Sequence, residues 1–262
     1  MLFWRVDGSL YVMKRAAWNR FEKAREHYRS ETEKLLLKLP RLRAVQQKLV
    51  NSRSPSYRVE TPIVYNSALD DVNQSSEIRL ILVADNPGRR EQMAENRRYL
   101  VGPSGKIAEK FFRDNPSLNI DFRANVIILN KTPVHTPRTV ELKELRRLGG
   151  PVLETALAES QRVMARLLLE FHRALTCEDG AAPPVWITGY SEMKKGGVFE
   201  AYTDELKTIY GGADLKDSVF LYRHFSMNQF TIDLKQQTVR GETLDKALRR
   251  IGITYRERFL WS

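Results

Sequence analysis

Two hydrophobic patterns divide the chain. From Tyr11 to Lys38 there is neither Gly nor Pro, and Trp18, Phe21, Leu35 and Leu36 recur within a charged background. That spacing predicts one long amphipathic helix stopping at Pro40, with a second helix over 41–50. The Ser-rich stretch 51–56 predicts a linker or loop. From residue 78 onward, short continuous apolar runs alternate with helical stretches. The runs at 78–84, 126–130, 185–188 and 219–222 predict strands, and 105–113, 152–176, 191–210 and 243–252 predict helices. Runs that are apolar at nearly every position imply strands covered on both faces. The expectation is an α/β fold: a three-layer α/β/α sandwich with a central four-stranded, mainly parallel sheet. Residues 1–60 are expected as a basic helical extension and 61–262 as the α/β/α domain.

Composition narrows the class. The chain has 262 residues, 42% hydrophobic and 29% charged, which is ordinary for a globular protein long enough to bury a full core. The single cysteine, Cys177, excludes a disulfide framework, a four-cysteine iron–sulfur cluster and a cysteine zinc site. His27, His135, His172 and His224 show no metal-ligand spacing, so neither metal nor cofactor is expected. No apolar run is long enough to span a membrane, and Arg5 and Asp7 interrupt the N-terminus too early for a signal peptide. A soluble, cytoplasmic or nucleoid-associated monomer without a membrane partner is expected. Charge adds a partner. Lys and Arg outnumber Asp and Glu by 43 to 32, for a net +11, and the pI is near 9.7. Eight of those eleven charges fall in residues 1–60. Such basicity is the footprint of a nucleic-acid partner, although a solvated basic surface has the same composition.

In open parallel sheets the ligand crevice lies beyond the carboxyl ends of the strands. Ala84-Asp85-Asn86-Pro87-Gly88 follows the first run, Asn130-Lys131-Thr132-Pro133 the second, and His224-Phe225-Ser226 the fourth. Alone, each reads as turn chemistry or a structural histidine. Convergence on one crevice is what a site requires. Gly102-Pro103-Ser104-Gly105-Lys106 lacks the leading Gly and trailing Ser/Thr of a phosphate-binding loop, since Leu100 and Ile107 stand there.

These strand ends resemble the uracil-DNA glycosylase superfamily. Its members carry a Gly-x-(Asp/Asn/Ala)-Pro-(Gly/Tyr) loop after the first strand, an Asn ending a later strand and His-Pro-Ser after the last. The iron–sulfur branch also opens a helix with Phe-Val-Gly-Pro-Ala-Gly, against Leu100-Val101-Gly102-Pro103-Ser104-Gly105 here. The likeness spans about residues 78–252. Ala84 replaces a family Gly, Phe225 a Pro, and Leu100 an aromatic that stacks on the base; the cluster cysteines are absent.

The resemblance implies a DNA-repair enzyme that hydrolyses the N-glycosidic bond of uracil, or a related damaged base, flipped out of DNA. The alternatives are a fold member that only binds nucleic acid or a protein, and an enzyme of different specificity on the same scaffold. His224 is expected to stabilise charge developing on the departing base, and Asp85 or Asn86 to position the attacking water. Asn130, whose amide complements the N3–H and O4 of uracil, is expected to bind the base with Leu100, Pro87 and Gly88. Gly102, Ser104, Gly105, Ser226, Arg89 and Lys131 are expected to contact DNA, with Arg90 and Arg138 adding charge. Met227 or Phe230 is expected to fill the vacated stack. Without an aromatic face at Leu100, single-stranded or mismatched uracil-containing DNA is the preferred substrate.

Overall fold

The computed structural model describes residues 13–52 and 57–261. Its centre is a sheet of four strands: β1 (Leu80–Ala84), β2 (Val126–Asn130), β3 (Val185–Thr188) and β4 (Val219–Tyr222). Every strand residue is buried, as the unbroken apolar runs require. The order is β2-β1-β3-β4 and all three pairings are parallel. Ala84 lies opposite Asn130 at the end of one ladder, and Thr188 opposite Tyr222 at the end of another. Parallel pairing therefore delivers all four following loops to one edge.

Helices cover both faces, completing the three-layer sandwich. One layer joins α1 (Arg15–Lys38), α4 (Glu141–Leu175) and α5 (Glu200–Tyr210). Phe21 of α1 meets Phe171 of α4 edge-on, and His172 of α4 bonds the Tyr210 hydroxyl of α5 at 3.0 Å. The other layer gathers α3 (Pro103–Asp114), α6 (Gln229–Gln237) and α7 (Leu244–Phe259). Phe112 of α3 and Phe230 of α6 stack on Trp186 of β3.

The basic segment expected as an extension is built into this core. Phe21 and Tyr28 of α1 are fully buried, and Leu42 and Leu49 of α2 (Leu42–Asn51) join the same apolar cluster. The Tyr28 hydroxyl bonds that of Tyr99, whose own hydroxyl donates to the Val64 carbonyl at 2.6 Å. Gln46 of α2 donates to the carbonyls of Pro62 and His135 at 2.9 and 2.8 Å, tethering the loop that follows β2.

Several boundaries differ from expectation. β1 starts at Leu80 and α3 at Pro103, where proline is preorganised for a helix start. The helix expected over 152–176 runs from Glu141 to Leu175 with a break at Gly150 (φ +67°), ahead of Pro151. That expected over 191–210 is a 3-10 turn over Tyr190–Glu192 and an α-helix only from Glu200, with Gly196 at φ +71° between them. Helix α6 was not expected. Residues 11–12 of the expected helix and 53–56 of the expected linker lie outside the described residues. Among the described residues, no helix is long and apolar enough to cross a membrane.

Candidate active site

A cleft of about 940 Å³ opens beyond the carboxyl ends of the strands. Its floor is built from the turns that follow β1, β2 and β4, and from Gly189 and Tyr190 after β3. Asp85, Asn86, Asn130 and His224, separated by up to 139 positions in the chain, line this one space.

The turn after β1 is held from both sides. Asp85 pairs with Lys131 Nζ at 2.5 Å through one oxygen and accepts from Thr139 Oγ1 at 3.1 Å through the other. Gly189 allows this: a Cβ there would stand 2.6 Å from Asp85 Oδ1, and its φ of +80° suits glycine. Asn86 Nδ2 donates to Thr136 Oγ1 at 2.9 Å. Pro87 is buried behind the turn, its carbonyl bonded by His135 Nδ1 at 2.7 Å. The N–H of Gly88 donates to Glu91, which is buried and also accepts from the backbone of Leu100 and Val101. Burial raises the Glu91 carboxyl to about 7 against those bonds, which favour its ionised form.

Asn130 ends β2 almost fully buried, and its Nδ2 has no hydrogen-bond partner among the described residues. An unanswered amide donor on a cleft wall costs stability unless something else accepts from it. His224 follows β4. Its Nδ1 accepts from the Ser226 N–H at 2.9 Å, so in the neutral ring Nε2 carries the proton and is a donor. Burial holds the imidazole below its ordinary range; Asp85 opposes that and Lys131 reinforces it.

The α3 N-terminus forms another wall. Leu100 takes φ +52° and lines the cleft with Gly102, Pro103 and Ser104. Arg89 and Arg90 stand on the rim with Arg138 and Arg223; Arg138 pairs with Glu141 at 2.8 Å and Arg223 with Asp233 at 3.3 Å. Ser226 and Met227 line the opposite lip, with Met227 exposed at φ +50°.

Some expected contacts are corrected. Lys131 is fully buried on Asp85 and the Thr188 carbonyl, so it reaches no phosphate. Gly105 is buried against Leu100 rather than open to the cleft: a Cβ there would stand 1.5 Å from the Leu100 carbonyl oxygen. Phe230 belongs to the aromatic core, stacked on Phe225 at 4.4 Å, which leaves Met227 as the exposed large apolar side chain of that loop. Sequence reading passed over Glu91, Thr139, Gly189 and Tyr190. The residues after β3 were open to the same strand-end rule; Glu91 sits in Arg89-Arg90-Glu91-Gln92, which reads as exposed surface.

No protein-family model matches this chain, and no curated protein does.

Proposed function

We propose that the protein is a DNA glycosylase that hydrolyses the N-glycosidic bond of uracil, or a related damaged base, turned out of the DNA stack into this cleft. The observation that carries the reading is the buried, unanswered amide of Asn130 on the same cleft as the donor-poised imidazole of His224. A base edge with an acceptor and an adjacent N–H satisfies Asn130, and uracil presents that pair whereas cytosine presents the reverse. Flipping costs a few kcal/mol and selects bases that are already poorly stacked.

In the reaction the C1′–N1 bond breaks and its electron pair leaves with the base. The His224 Nε2–H bonds a base carbonyl oxygen as negative charge gathers there; one such donor is worth about 3 kcal/mol. A neutral imidazole donates without surrendering its proton, in keeping with its depressed pKa. Water adds to C1′, its oxygen forming the new bond, and the proton it loses passes by way of solvent to the released base anion, which leaves neutral. Asp85 is the anion that can accept a hydrogen from that water and orient it, and Asn86, whose amide nitrogen is engaged by Thr136, offers its amide oxygen for the same task. The rim arginines meet flanking phosphates.

The test uses uracil-containing single-stranded and duplex oligonucleotides under single-turnover conditions, with alkaline cleavage of abasic sites read on a gel. His224→Ala is expected to slow cleavage by roughly a hundredfold or more, with DNA binding retained, since its donor acts mainly in the transition state. Asn130→Asp is expected to lose uracil cleavage, its carboxylate having no donor for O4. Leu100 lacks a flat stacking face, so the parent should be slow and favour single-stranded or mismatched DNA. Binding without cleavage of any of these substrates would make the protein a non-catalytic nucleic-acid binder, and equal rates in both variants and the parent would move the site elsewhere.

A further inference from the structure

Beneath the cleft floor lies a lysine with no access to solvent. Lys131 Nζ stands 2.5 Å from Asp85 Oδ1, 2.5 Å from the Thr188 carbonyl and 4.9 Å from the centre of the Phe199 ring. Its backbone N–H donates to the carbonyls of Ala84 and Asp85, at 3.0 Å each. Both ends of the residue thus grip the turn after β1. Burial pulls the Lys131 ammonium below its ordinary range, and Asp85 pushes it back up. Replacing a buried ion pair by apolar side chains of similar volume is often neutral or stabilising, so stability alone is a weak reason for this pair. Its position suggests another. Asp85 keeps 14% of its side chain exposed and lines the cleft, so the pair is an ion pair with one member at the site and one in the core.

We propose that Lys131 is a positioning residue: held between Asp85 and Thr188, its ammonium fixes the Asp85 carboxylate as an oriented anion and offsets that charge at His224. The water-orienting half of this role rests on the glycosylase reading; the effect on His224 does not. Glu91, Tyr190, Glu192 and Arg223 line the same cleft from the neighbouring loops. The charges that act on the His224 imidazole are Asp85, which favours its protonation, and Lys131, which opposes it. Without Lys131, a proton on His224 is the simplest answer to the Asp85 charge, and a charged imidazole is no longer the neutral donor the reaction uses.

The experiment follows the His224 ring protons by NMR through a pH titration in the full-length protein, beside single-turnover cleavage of single-stranded uracil DNA as a function of pH. In Lys131→Met the His224 midpoint should rise by about one pH unit, the scale expected when a nearby like charge is removed. In Asp85→Asn it should fall. The acid limb of the pH–rate profile should move upward with the midpoint in K131M, and the maximal rate should drop by about tenfold or more, part of the roughly hundredfold or greater contribution of a positioned base. A K131M protein whose His224 midpoint and acid limb stay at parental values, with only its melting temperature lowered, would overturn the proposal and leave Lys131 as packing. Should K131M not fold, Lys131→Gln, uncharged but polar and of similar length, takes its place under the same criteria, and a His224 midpoint unmoved in D85N equally overturns the coupling. If the parent cleaves no uracil substrate while the midpoints move as stated, the glycosylase reading fails and the charge relation among Lys131, Asp85 and His224 stands.

Discussion

At the residue scale, buried titratable groups are set against one another. His135 is enclosed between Pro87 and Tyr57, and burial lowers its pKa from 6.5 to about 4; His172 is lowered to about 4 for the same reason. Above pH 6.5 each is neutral in both folded and unfolded chains. As pH falls below that value the unfolded chain takes up protons that the folded one refuses, so stability drains until about pH 4, by roughly 3 kcal/mol per histidine. Glu91 runs the opposite way. Its pKa is raised from 4.5 to about 7, so acidification between those values relieves a penalty of roughly 3 kcal/mol. The parent should therefore lose about one histidine's worth of stability from neutral pH to pH 4 through these groups. Glu91→Gln, which removes the compensating group, should lose about twice that. Urea denaturation across the range reads both slopes, and parallel curves for parent and variant would rule out Glu91 as the opposing group.

At the element scale, the start of α3 and the turn after β1 form one unit. Glu91 accepts from both, and α3 can approach Leu100 only because residue 105 has no side chain. Gly105→Ala drives a Cβ into a backbone carbonyl that has no rotamer to move, so it should cost about 3 kcal/mol or more, at the upper end of overpacking. Gly102→Ala, with nothing within 4 Å of the added carbon, is the control and should cost under about 1 kcal/mol. Thermal unfolding of the two variants distinguishes them. Similar melting temperatures would mean that the approach of α3 to Leu100 is looser than described. Because this unit forms a cleft wall, Gly105→Ala should, under the proposed glycosylase function, also slow uracil cleavage.

At the scale of the whole molecule, the basic N-terminal region is part of the fold. Fully buried Phe21 and Tyr28 close one face of α4, and α2 tethers the loop carrying His135. Removing one buried Phe typically costs 3–5 kcal/mol, against a total stability of about 5–15 kcal/mol for a native protein. Deleting residues 1–60 removes α1 and α2 from the face of α4 and should abolish cooperative unfolding by circular dichroism, whatever its effect on charge. Phe21→Ala, milder, should lower stability by about 3–5 kcal/mol while keeping the fold. A truncated chain that still melted cooperatively would return the region to the status of an appendage.

The α/β/α class, the four strands and the loops bearing Asp85, Asn130 and His224 were legible in the sequence, because a strand buried on both faces must be apolar at every position. Strand ends are then marked by the first polar residues, and parallel pairing sends them to one edge. Other features depend on partners distant in the chain. Lys131 reads as a surface charge beside Asn130 until the packing of β1, β2 and β3 closes over it. Glu91 looks like part of a solvated run until Gly88, Leu100 and Val101 turn their N–H groups toward it. The amphipathic face of α1 is visible as a period, but whether it covers a core or meets another partner depends on the matching face of α4. Local pattern determined which segments form strands and which residues follow their ends; the tertiary structure decided the strand order and which charges are buried, because burial depends on what packs above a residue and not on its neighbours in the chain.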